Sequence, residues 1–250
     1  MESRLLATPI FIYFCIGLFA GFMSGMFGIG GGTVRIPLLN FAGLPLLAAF
    51  AINLWTIPFA SAIASIEQKH HIDMRIAVPM VVGGTFGSVA GALLAGPIRP
   101  LALAIIFVIV SLLTVVGIHL HRFAPRISER MNPTPQAIIV GTFLLNLITG
   151  MRGGSGGALF PPFLRTLKLH IHRAIATSLF VTMFTATAAA IIYWRRGDVL
   201  WLPALVVVLG SMIGAKAGSK ASLRTKPLWL EMGLSVFVMT LASLTIYKAV

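Results

Sequence analysis

The chain is a succession of long apolar runs separated by short polar gaps. Runs of about 20 residues, the length a helix needs to cross roughly 30 Å of hydrocarbon, stand near 8–27, 45–66, 75–96, 100–120, 136–151, 173–194, 199–220 and 228–248. These eight runs predict an all-α polytopic membrane protein. Two apolar pieces are left over, 32–41 and 157–167, each too short to cross and each directly after a glycine cluster. They are expected to be half-helices that dip in and return, or the second limbs of broken helices. Polypeptide tolerates either at membrane depth only where protein or a water-filled cavity covers the exposed backbone.

The first cluster, GMFGIGGGTVRIP from Gly25 to Pro37, places Gly28, Gly30, Gly31 and Gly32 within five residues. A helix interior disfavours each of them by about 1 kcal/mol relative to alanine. Glycine lets the chain turn through positive φ and lets another group approach the backbone. A helix restarting after such a break points free N–H groups at whatever lies there. The cluster therefore reads as half of an anion site inside a membrane.

Composition agrees with the pattern. Of 250 residues, 58% are hydrophobic and 10% charged, with mean hydropathy +0.97, against about 25% charged in soluble domains. Nineteen Lys and Arg against six Asp and Glu give a net charge of +13. Nucleic acid is not the expected partner, because the cations sit in the gaps between apolar runs and not on one polar face. The lone Cys15 excludes an intramolecular disulfide and reads as a small buried hydrophobe. The N-terminal apolar region runs past the usual length of a signal peptide and reads as a retained first span.

Lys and Arg in the loops set orientation. With eight crossings and non-crossing half-helices, Arg4, the pair Lys69 and Arg75, the group Arg122, Arg126 and Arg130, and the pair Arg195 and Arg196 fall on one side, expected to be cytoplasmic. Arg165, Lys168, Arg173, Lys220, Arg224 and Lys226 then fall on the other. The long polar segment 121–135 reads as a linker between a first repeat, 1–120, and a second, 136–250, each of four spans plus a half-helix.

The two halves align without a gap at a constant offset of 125 residues over 28–55 and 153–180. Gly28 falls on Gly153, Gly31 on Gly156, Gly32 on Gly157, Pro37 on Pro162 and Asn53 on Ser178. With a shift of two more, Gly83, Gly87 and Gly91 meet Gly210, Gly214 and Gly218. Interrupted apolar segments in corresponding positions of two halves point to the substrate site of a secondary transporter.

GIGGGTVRIPLL in the first half, with GGSGGALFPPFL and HRAIATSLF in the second, resembles the TauE/SafE family of sulfite and organosulfonate exporters over nearly the whole chain. The resemblance implies transport of a small sulfur-containing anion across the cytoplasmic membrane, by export. The sequence differs from the family pattern at Ser155, where glycine is more usual, and at Arg35 and Arg152, where apolar residues are expected.

The expected substrate-binding residues are Gly30, Gly31, Gly32, Arg35, Asn53 and Thr56 from the first half, and Arg152, Ser155, Gly156, Gly157, Thr177 and Ser178 from the second. Two helix N-termini meeting near the midplane would add their positive dipole ends, and a sulfite or sulfonate presents three acceptor oxygens. Arg35 and Arg152 either face the site, where a guanidinium suits an oxyanion, or snorkel to an interface. Asn53, Thr56, Thr177 and Ser178 can donate to an anion or simply to a neighbouring helix. Asn146 and Thr149 are weaker candidates, and Lys216 lines the pathway or snorkels. The glycine ladders at Gly83 and Gly210 read as helix-packing faces. His170 and His172, two apart, do not share a helix face, so no metal centre is expected, and no cofactor or nucleotide motif is found. The expected partners are a small anion and the lipid bilayer, with a homodimer left open. The competing classes are an anion channel of the same architecture and, more remotely, a membrane-embedded enzyme or assembly factor, which would need a catalytic dyad.

Overall fold

The computed structural model describes residues 10–94, 134–151 and 153–230, with residues 232, 233, 235, 236 and 240 beyond them. All regular structure among these is helical: α1 (Ile10–Phe27), α2 (Gly32–Phe41), α3 (Leu46–Glu67), a 3-10 turn (Lys69–His71), α4 (Met74–Leu94), α5 (Pro135–Gly150), α6 (Phe160–Thr166), α7 (Ile171–Arg195) and α8 (Trp201–Arg224). α1, α3, α4, α7 and α8 are long and apolar enough to cross a membrane, while α5, at 16 residues, is shorter. The run 100–120, nearly all of the linker 121–135 and most of 228–248 lie outside the described residues. The described helices thus account for six of the eight apolar runs, within a few residues at each end.

Local sequence explains where the helices begin and stop. α5 starts on Thr134, whose hydroxyl accepts from the Ala137 N–H at 3.2 Å, with Pro135 in the first helical position, where a missing N–H costs nothing. α1 stops at Phe27 because Gly28, Gly30 and Gly31 all take positive φ, between 70° and 73°. The second short helix begins three residues later than its glycines suggest, at Phe160, since Gly156–Leu159 first makes a turn.

Small residues set the packing. Gly17, Gly21 and Gly25 of α1 lie against Val207, Ser211 and Ala215 of α8, and Gly210, Gly214 and Gly218 lie against Phe14, Leu18 and Phe22. Both lists ascend together, so α1 and α8 run parallel with their backbones in contact. α4 and α5 are paired in the same way, Gly83, Gly87 and Gly91 meeting Ile139, Phe143 and Leu147. Between these pairs stand α3 and α7, the most buried of the long helices (61% of the apolar window, against 44% for α1, α4 and α8). α8 packs on α3, α4 packs on α7, and α3 and α7 pack on each other.

These contacts fix the directions of the chain. α3 runs parallel to α8, with Trp55 by Trp201 at 5.3 Å at one end and the Ser219 hydroxyl donating to Ala64 O at 3.4 Å at the other. α1 and α3 therefore run the same way, and the broken segment 28–45 must carry the chain back between them. It traverses and does not return to the side it left. α4, α5 and α7 run the opposite way: the Asp73 N–H, just before α4, donates to Thr177 Oγ1 near the start of α7 at 3.0 Å, while Leu93 shares a crevice with Arg195 and Arg196 at its end.

The arrangement corrects the expected distribution of loop charge. Lys69 and Arg75 lie at the end of the bundle where α7 begins, beside Arg173, which pairs with Asp73 at 2.9 Å. Arg165, Lys168, Lys220 and Arg224 belong to that same end, since His172 at the start of α7 reaches Ser222 O near the end of α8 at 3.2 Å. Arg195 and Arg196 lie at the other end of α7, about 37 Å away for 25 helical residues. The expectation that Lys69 and Arg75 share a side with Arg195 and Arg196 fails because it treated the broken segments as non-crossing: the first traverse moves Lys69 and Arg75 to the opposite side, and the second, between the parallel α5 and α7, returns Arg195 and Arg196 to the original one.

A methyl group added at Gly21 would collide with the Ser211 carbonyl. Gly21→Ala should therefore lose about 1–3 kcal/mol through overpacking, while Ile213→Ala, on the exposed face of α8, should change little. Thermal unfolding in detergent measures both, and equal stability of the two variants would show that the backbone contact is not what holds the pair.

Candidate functional site

The two glycine breaks meet in the middle of the bundle. In the first, the N–H groups of Val34 and Arg35 are the earliest to bond back into α2, both to Gly31 O, at 3.2 and 2.9 Å. The N–H groups of Gly32 and Thr33 are thus left as helix-end donors. In the second, Leu159 and Phe160 donate to Gly156 O at 2.8 and 3.0 Å. A Cβ on Gly157 would stand 2.9 Å from Ile29 O and 3.0 Å from Gly30 N, so the two breaks touch backbone to backbone.

Each break is held from the central helix that lies in the other half of the sequence. Asn53 on α3 donates from Nδ2 to Gly153 O at 2.7 Å, and Ser178 on α7 donates from Oγ to Gly28 O, also at 2.7 Å. Under the offset of 125, Asn53 corresponds to Ser178 and Gly28 to Gly153, so the two bonds are reciprocal. Both satisfy carbonyls that a broken helix leaves without an intrahelical partner, away from water.

Arg35 lies beside this arrangement and is fully buried. Its Nη1 donates to Asn53 Oδ1 at 2.6 Å and its Nη2 to Ser211 Oγ at 3.0 Å. The Ser211 hydroxyl in turn donates to Gly17 O at 2.9 Å. Snorkelling to an interface is excluded for Arg35 by its burial. None of the described carboxylates pairs with it: Asp73 is engaged with Arg173, Asp198 with Arg196 and Glu67 with Lys216. Among the described residues its Nε has no hydrogen-bond partner.

Between the breaks lies a cavity of about 70 Å³, lined on one side by Gly32, Thr33, Ile36 and Pro37 and on the other by Gly154, Ser155, Gly156 and Gly157, with Ile29, Phe50, Ile57, Thr149 and Ala158 completing it. Its size admits about two waters or one small anion. Thr33 Oγ1 and Ser155 Oγ have no hydrogen-bond partner among the described residues, and Ser155 is 3% exposed. A buried hydroxyl without a partner is costly, and two that line one cavity present donors to a guest.

Of the expected site residues, Gly32, Ser155, Gly156 and Gly157 line the cavity; Gly30 and Gly31 shape the break behind it. Asn53 and Ser178 brace the breaks, Thr177 accepts the Asp73 N–H, and Thr56 bonds back to Ile52 O of its own helix at 2.7 Å. None of these four lines the cavity. Arg152 lies outside the described residues. Of the weaker candidates, Thr149 lines the cavity, while Asn146 accepts from Ser88 at 2.9 Å between α5 and α4. Lys216 reaches Glu67 at 3.9 Å with its side chain 57% exposed, away from the cavity. Of the cavity's polar side chains, Thr33 was absent from the expected site residues; its place directly after GIGGG, in the first turn of a restarting helix, was the available signal.

Buried apolar helices, two interrupted segments meeting at one cavity and unpartnered donors on its wall define a membrane transport protein. The chain belongs to the sulfite exporter TauE/SafE family, whose model matches residues 13–245. It is similar to the "probable membrane transporter protein ORF9" of Sinorhizobium sp., 25% identical over 242 residues, covering 93% of this chain and 92% of that one. It is also similar to a "probable membrane transporter protein" of Haemophilus influenzae, 24% identical over 262 residues (94% and 97% coverage), and to "probable membrane transporter protein YunE" of Bacillus subtilis, 24% identical over 264 residues (94% and 96%). No solved structure matches.

Asn53→Ala strips both Arg35 Nη1 and Gly153 O of a partner, whereas Ser178→Ala strips Gly28 O alone. At about 1–3 kcal/mol for each buried group left unsatisfied, Asn53→Ala should be the more destabilising by at least about 1 kcal/mol. Unfolding in detergent tests the order, and a neutral Asn53→Ala would remove the bracing role.

Proposed function

We propose that the protein is a secondary transporter that moves a small sulfur oxyanion or sulfonate by exposing the cavity between the glycine breaks alternately to the two sides of the cytoplasmic membrane. The observation that carries this reading is the convergence at one cavity of both breaks, with the unpartnered Ser155 and Thr33 hydroxyls on its wall. Helix-end N–H groups at Gly32 and Thr33 and the positive dipole end of α2 favour an anion there. The sulfur chemistry and the direction, export, come from the family description, the chain itself supplying only the preference for a small anion.

Two further parts of the proposal concern architecture. The halves 1–120 and 136–250 are read as inverted repeats, supported by the offset alignment and by the opposite directions of corresponding helices, α1 against α5, α3 against α7 and α4 against α8. The end carrying Lys69, Arg75, Arg165, Lys168, Arg173, Lys220 and Arg224 is read as cytoplasmic, because short loops rich in Lys and Arg stay inside.

Counterflow of labelled sulfite or methanesulfonate into proteoliposomes is the direct test of transport. Accelerated exchange in the presence of unlabelled anion supports a carrier, and large single-channel currents would replace it with a channel. Ser155→Val, which removes a donor and fills part of the cavity, should lower exchange at least tenfold without unfolding the protein. For sidedness, a membrane-impermeant thiol reagent applied to intact cells should label Arg195→Cys and spare His70→Cys, each in a Cys15→Ala background; the reverse pattern would invert the assignment.

A further inference from the structure

Among the described residues the cavity has neutral donors at its surface and one uncompensated cation behind its wall, and this balance bears on the charge of its guest. We propose that the cavity selects singly charged anions over doubly charged ones; this assigns a substrate class to the anion-binding reading above and rests on it. The guanidinium of Arg35 lies against the first break, its Nη2 3.0 Å from where a Cβ of Gly31 would stand, and the next residue, Gly32, lines the cavity. A guanidinium remains protonated in proteins. Asn53 and Ser211 hold it in place through neutral oxygens, and no described carboxylate reaches it.

One full positive charge is therefore buried beside the cavity without a counter-charge among the described residues. Burial of an unpaired charge is strongly unfavourable, and a single negative charge in the cavity would offset it. Among the described residues a second negative charge would meet only dipoles, such as the Ser155 and Thr33 hydroxyls and the N–H groups at the start of α2. The cost of removing an ion from water rises with the square of its charge, so the second charge would add far more penalty than these donors recover. The apolar part of the wall, Ile29, Ile36, Pro37, Phe50 and Ile57, cannot hydrate a dianion but accommodates a short alkyl group. An alkyl sulfonate or hydrogen sulfite meets these conditions, and sulfate or fully deprotonated sulfite does not.

Isothermal titration of the purified full-length protein in detergent tests the inference with methanesulfonate, sulfate and sulfite at about pH 6 and about pH 8.5, a range across which hydrogen sulfite gives up its proton. Methanesulfonate is expected to bind at least tenfold tighter than sulfate and to change by less than twofold between the two pH values, whereas sulfite should weaken at least tenfold at the higher pH. Ser155→Ala should weaken methanesulfonate severalfold, which locates the binding in the cavity; unchanged affinity would place it elsewhere and overturn the inference. Sulfate binding as tightly as methanesulfonate would overturn the charge selection and leave the anion site standing. Failure of all three anions to bind would remove the site itself, and the selection with it.

Discussion

Everything in the centre of this protein depends on satisfying backbone carbonyls where helices are broken away from water. Breaking a helix at Gly28 and again at Gly153 frees polar groups that lipid cannot solvate. The reciprocal bonds from Ser178 to Gly28 O and from Asn53 to Gly153 O supply partners, and each ties a break to the central helix encoded in the other half. Because Asn53 accepts from Arg35 as well, one amide connects a buried cation to the opposite break. The cavity exists because these breaks meet, and its apolar walls come from the same segments that make them.

The breaks were legible in the sequence because glycines so dense have no other use within an apolar run, and the pairing of the halves was legible because the offset preserves their positions. The roles of individual polar residues were not. Asn53, Thr177 and Ser178 read as donors to an anion or to a neighbouring helix, and a donor that satisfies a carbonyl, as Asn53 and Ser178 do, carries the same sequence signature as one that satisfies an anion. The orientation of Arg35 depends on Ser211, 176 positions away, which no local pattern reveals. Sidedness failed for a different reason: it depends on the parity of the crossings, and the composition of a ten-residue apolar segment such as α2 does not say whether it traverses.

The family match spans residues 13–245 and so includes both breaks and both central helices. The physical content lies in how this sequence fills that plan. Ser155 places a hydroxyl inside the second glycine cluster, and with that of Thr33 it stands unpartnered among the described residues in the cavity.

The glycine-lined contacts of α1 with α8 and of α4 with α5 join helices from different halves of the chain with their backbones touching. Surfaces so closely fitted slide poorly, since any shift along the axis drives carbonyls into neighbouring backbone. The stiff bodies of the molecule are therefore these two mixed-origin staves, each assembled from both halves. Under the alternating exposure proposed above, relative movement would fall to the seam where α3 and α7 face one another, and each moving unit would draw on both halves of the chain.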